Sequence, residues 1–140
     1  MQKLTTLVTL IMVSLLGCTT IQTIDPAQYN FATPNDSSYD QVWSAMIKVL
    51  NERGEFITLT DKQDGIIVTD YNHQNPVTST SVSYSTRYRL NISIYNEDPV
   101  KIKIAPDIQL QSSTGSGWIA MKDDGTVLNQ IKQNLAERLK

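Results

Sequence analysis

The strongest constraint on this chain is an alternation of polarity that runs, with one interruption, from Val82 to Leu110. Even positions Val82, Tyr84, Tyr88, Leu90, Ile92 and Ile94 are apolar, and odd positions Ser83, Ser85, Arg87, Arg89, Asn91 and Ser93 are polar. Asn96-Glu97-Asp98-Pro99 interrupts the run, and Val100, Ile102, Ile104, Ile108 and Leu110 resume it. Successive side chains of a strand point to opposite faces, so this period predicts two long strands with one buried and one wet face. If they are antiparallel neighbours, sharing a buried face requires opposed residues to have numbers with an even sum. A three- or five-residue turn gives sums of 196 or 194, setting Asp107 opposite Arg89 or Arg87. Pro106 has no N–H to give the ladder and marks an edge position or a bulge. The wet face collects Arg87, Arg89, Lys101 and Lys103. The plain reading is a solvated face whose charges limit edge pairing. The sharper one is a cationic docking surface on a net-acidic protein.

The rest of the chain supplies what covers the apolar face. Tyr39, Val42, Trp43, Met46, Ile47, Val49 and Leu50 follow the i, i+3, i+4, i+7 spacing of an amphipathic helix, expected over 38–53. Ser37 with Asp40 offers a cap, and Gly54 a stop. Glu55–Thr60 and Gly65–Tyr71 are β-favouring and joined by turn chemistry at Asp61–Asp64, which predicts a hairpin. Asn72–Ser81 and Ser112–Gly117 read as loops. Val127, Leu128, Ile131, Leu135 and Leu139 predict a last helix starting near Asp124 to Thr126. The expected fold class is α+β, in the order α-β-β-β-β-α: a four-stranded antiparallel sheet with two helices on one face. Large residues, among them Trp43, Met46, Phe56, Ile57, Leu90, Ile92 and Leu135, suffice to fill the layer between them.

The N-terminus sets the cellular context. Lys3 is a short positive region, Leu4 to Leu16 is an apolar stretch softened by Thr5, Thr6, Thr9 and Ser14, and Gly17 is small. Thirteen helical residues cover only ~20 Å, short of a ~30 Å hydrocarbon core. Leu15-Leu16-Gly17-Cys18 resembles the lipobox of bacterial lipoproteins, and Cys18 is the only cysteine. The resemblance implies cleavage before Cys18, lipid on its thiol and new amine, and membrane attachment through two or three acyl chains. Thr19 is not the aspartate that signals inner-membrane retention, so it also implies the outer membrane, facing the periplasm. Residues 1–17 are then a signal peptide, 18–37 a polar tether containing Pro26 and Pro34, and 38–140 the folded domain. Without Lys3 the chain holds 11 basic and 14 acidic residues, a balance that gives no bulk affinity for nucleic acid.

Tyr39-Asp40-Gln41-Val42-Trp43-Ser44-Ala45-Met46, followed by Val49–Gly54 and the Asp64–Asp70 hairpin, resembles the helix-grip domains of the BamC/NlpB family of outer-membrane lipoproteins. That resemblance implies a helix-grip fold and an accessory role in outer-membrane protein assembly. The residues themselves offer no catalytic constellation. His73 is the lone histidine, in a polar stretch, and Asp61–Gly65 and Asp123-Asp124-Gly125 lack the spacing of a calcium loop. One histidine and one lipid-bearing cysteine cannot make a zinc set, so no metal or cofactor is expected. Trp43 reads as core, and Trp118 as a ring anchoring its loop on the core. The leading expectation is a non-enzymatic interaction module with an envelope protein partner. The alternative is a carrier holding a lipid or hydrophobic ligand between sheet and helices.

Overall fold

The computed structural model describes residues 28–34, 36–79 and 82–140. The expected leader, Cys18 and most of the expected tether lie outside the described residues. The elements are β1 (Tyr29–Ala32), α1 (Tyr39–Glu52), β2 (Ile57–Asp61), β3 (Ile66–Thr69), β4 (Asn72–Ser79), β5 (Val82–Tyr95), β6 (Lys101–Ser112), β7 (Ile119–Met121) and α2 (Thr126–Arg138). The class is α+β, with two helices among the described residues and an antiparallel sheet ordered β1-β6-β5-β3-β2. Strand β4 lies beside β5 and β7 beside β6, each further along its partner than β3 and β1.

The expected alternation builds the centre of this sheet. Strands β5 and β6 pair from Tyr84↔Ser112 to Tyr95↔Lys101, with Arg89 opposite Asp107, one of the two registers that parity allows. Even positions Tyr88, Leu90, Ile92, Ile94, Ile102 and Ile104 are buried against Val42, Met46, Val49 and Leu50 of α1 and Leu128, Ile131 and Leu135 of α2. Helix α1 starts at Tyr39, one residue later than expected. Ser38, not Ser37, caps it: its hydroxyl accepts from Gln41 N while Gln41 Oε1 accepts from Ser38 N, a reciprocal capping box. Gly65, at φ +70, closes the β2–β3 hairpin where a Cβ would stand 2.0 Å from Ile94 O, so only glycine fits.

Four strands were expected and seven are present among the described residues, because three further strands form on demand from β5 and β6. These have 14 and 12 residues, whereas β3 has 4, so their remaining edges need partners. Strand β1 falls inside the stretch read as tether and pairs Tyr29 with Ile104 and Phe31 with Ile102, so the folded unit extends N-terminal to residue 38. Strand β4 falls inside the stretch read as a loop, and its register slips between Gln74 and Val77, around Pro76, as an edge proline requires. Pro106 of β6 is accommodated by a gap: β1 pairs with 101–104 and β7 with 108–110. Its partner Leu90 points its N–H away from β6, to Thr69 Oγ1, so the Pro106 nitrogen faces that gap.

One core assignment is reversed. Phe56 is 82% exposed, and Glu55 is buried in its place. Gly54, at φ +75, turns the chain at the end of α1 so that Glu55 N bonds Leu50 O. The Glu55 side chain then points inward, and extended backbone sends the next side chain out. Glu55 accepts from Tyr88 OH at 2.5 Å and from Asn72 Nδ2 at 3.3 Å, with Arg53 Nε 3.5 Å away.

Candidate functional site

Both helices lie on the even-numbered face, which leaves the odd face of β5 and β6 open. Alternation therefore puts Arg87 and Arg89 of β5 and Lys101, Lys103, Asp107 and Gln109 of β6 on one surface. These residues do not form one patch. Lys101 stands opposite Tyr95 and Lys103 opposite Ser93. Six residues at ~3.3 Å each put the Arg87 and Lys103 positions ~20 Å apart along the strands. Lys101 is met by Glu97 at 2.5 Å, and Arg89 by Asp107 at 3.1 Å.

Around Arg87 the face is built rather than merely charged. Arg87 Nε and Nη2 both donate to Gln109 Oε1, at 3.0 and 2.7 Å. Gln109 Nε2 donates to Tyr71 OH at 2.8 Å and to Asp107 Oδ1 at 3.2 Å. Tyr71 OH donates to Asp107 Oδ2 at 2.6 Å, the oxygen that also takes Arg89 Nε. The guanidinium carbon of Arg87 lies 4.1 Å from the centre of the Tyr71 ring and 4.0 Å from that of Trp118. The far face of this row is extended by Arg89, 5.0 Å from the Tyr71 ring, and by His73, edge-on to Trp118 at 5.8 Å. Burial, then the Asp107 hydrogen bond and charge, push the Tyr71 phenol above its usual pKa, so it is a neutral donor to the carboxylate.

Three contributors escaped the sequence reading. Tyr71 occupies the two-residue link between β3 and β4, and its orientation depends on that break. His73 is on β4, opposite Arg87, rather than in a solvated loop. Trp118 does not anchor its loop on the helix-side core; it packs on the open face against Arg87. The available signal was the parity of Arg87 and Gln109, which required neighbours on the same face. Among the described residues, no three histidine, cysteine, aspartate or glutamate side chains gather as metal ligands.

No family model and no curated protein matches the sequence. Solved structures resemble its fold. One is a DUF4468 family protein from Bacteroides ovatus ATCC 8483, 12% identical, with a TM-score of 0.50 over 83% of this chain and 80% of that one. Another is a TBP-like protein from Parabacteroides distasonis ATCC 8503, also 12% identical, with a TM-score of 0.48 over 80% and 79%. At such identity the first likeness speaks for the fold alone.

Proposed function

We propose that the chain is a lipoprotein anchored in the outer membrane through lipid on Cys18, and that its periplasmic domain is a non-catalytic interaction module docking through the open sheet face. The observation that supports docking is the fixed state of Arg87. A side chain that merely solvates a face gains by staying mobile, since ordering an arginine costs up to ~2 kcal/mol. Here Gln109, Tyr71 and Trp118 hold it, and a preorganised polar surface lowers the ordering cost of binding. Two helices against one face of a sheet also suit the helix-grip reading, which makes outer-membrane protein assembly the first process to examine.

The anchor and the face are tested separately. Labelled fatty acid enters the wild type and not Cys18→Ser; equal labelling rejects the lipoprotein. A photoreactive residue at Asn91 yields envelope adducts that fade in Arg87→Glu/Lys101→Glu while the melting temperature stays nearly constant. Unchanged adducts reject docking through this face. One observation favours the carrier reading: a cleft of about 310 Å³, where Ile108, Met121 and Val127 line the wall beside the charged Lys122, Asp123 and Asp124, opens at the start of α2. Lipid co-purifying with the wild type and lost in Ile108→Glu is the corresponding test.

A further inference from the structure

We propose that the outward edge of the Arg87 guanidinium seats a carboxylate from an acidic segment of the docking partner, an inference that rests on the docking reading above. A guanidinium has five N–H donors. Two go to Gln109, which leaves both on Nη1 and one on Nη2 without a partner among the described residues. Adjacent donors on Nη1 and Nη2 are parallel and match the two oxygens of a carboxylate. The charge is also unanswered. Arg89 and Lys101 face Asp107 and Glu97, whereas the partner of Arg87 is a neutral amide.

The rings define how an anion enters. The Tyr71 and Trp118 ring centres lie 4.1 and 4.0 Å from the guanidinium carbon, so an anion reaching its outward edge comes close to the ring rims. Those rims are the positive part of an aromatic quadrupole, so a negative oxygen is welcome there. A planar carboxylate sets both oxygens in line with the two parallel donors, while a tetrahedral phosphate carries further oxygens out of that plane, beside the rings. A free small acid gains little here, because an exposed ion pair is worth only about 0.2–1 kcal/mol. An acidic peptide segment adds contacts to Trp118, Tyr71 and Arg89 on the same open face, which is why a protein partner suits the site.

The test uses the full chain in zwitterionic detergent and a fluorescein-labelled peptide of alternating glutamate and serine, read by anisotropy at low salt. Arg87→Lys keeps the charge and loses the fork, and should weaken binding roughly five- to tenfold, tenfold being 1.4 kcal/mol. Trp118→Leu should weaken it as well. Lys103→Gln, which removes a charge ~20 Å away, should change it less than about twofold. Melting curves confirm that each variant is folded. Binding by Arg87→Lys equal to wild type overturns the proposal, as does displacement of the peptide by inorganic phosphate at lower concentration than by acetate. If Arg87→Lys is silent but Arg87→Glu/Lys101→Glu still removes the envelope adducts, docking stands and the carboxylate seat falls. If the adducts survive that reversal, the docking reading itself has failed.

Discussion

Thr69 is the residue whose hydroxyl should matter most to stability. Strands β3 and β4 both pair with β5, but Asp70 and Tyr71 between them leave the ladder: Asp70 N turns to Phe56 O at 2.6 Å and Tyr71 N to Asp70 Oδ1 at 2.7 Å. The Leu90 N–H faces that break and donates to Thr69 Oγ1 at 2.9 Å. Thr69 and Leu90 are 2% and 1% exposed, so water cannot substitute. Thr69→Val keeps shape and volume and strands a buried donor, which costs about 1–3 kcal/mol. Thr69→Ser keeps the acceptor and removes one methyl, at about 0.8 kcal/mol. Chemical melts with an unchanged m-value give the difference directly, and ~1 kcal/mol should lower the melting temperature by about 3–6 °C for a domain of this size. Amide exchange at Leu90 should accelerate in the valine variant beyond its loss of global stability. A valine variant as stable as wild type, with the Leu90 amide still protected, would refute the bond and the reasoning built on it.

Two further outcomes follow from buried groups. Burial, followed by the Glu55 hydrogen bond and charge, raises the Tyr88 phenol from 10.0 to about 12. The unfolded chain therefore loses this proton before the folded one, and ~3 kcal/mol present below pH 10 is lost as pH rises through about 12. Tyr88→Phe should flatten that fall in alkaline urea melts, with Tyr29, Tyr39 and Tyr71 leaving a smaller residue of it; identical slopes reject the assignment. Truncation to residues 38–140 removes β1 and with it the half-buried Tyr29 and Phe31, and should cost about 2–4 kcal/mol relative to a chain starting at residue 28. Equal melts for the two chains would show that β1 merely lies against the edge.

What the sequence made legible was what its periodicity encodes. The facing parity of β5 and β6, which allowed two registers, the buried faces of both helices and the β2–β3 hairpin follow from local spacing, and the structure keeps them. What escaped was set by demand from elsewhere in the fold. Asn72–Ser79 has little β preference of its own and becomes a strand because β5 outruns β3. Tyr29–Ala32 is too short to show a period, and its partner edge lies some seventy residues away. The candidate site inherited this limit. Arg87, Arg89, Lys101 and Lys103 were placed on the right face, but their division into two pairs required the register to be laid out, and Tyr71 and Trp118 required the loops.

The site's position follows from the unequal lengths of helix and strand. A helix of 14 residues spans ~21 Å and a strand of 14 residues ~46 Å, so neither helix can cover β5 from end to end. The core therefore occupies the half of the sheet near Leu90–Ile94. The other half, with β4 and β7, extends past the helices and keeps Tyr84, Ile119 and Met121 at 36%, 68% and 40% exposure on its helix-side face. The Arg87 cluster lies on the opposite face of that extension, where few side chains serve the core. Substitutions there can change what the face holds at little cost to folding, whereas the same changes near Asn91 or Ser93 would sit directly behind Ile92 and Ile94. A sheet longer than its helices thus separates the part of the molecule that must pack from a face that carries no packing duty.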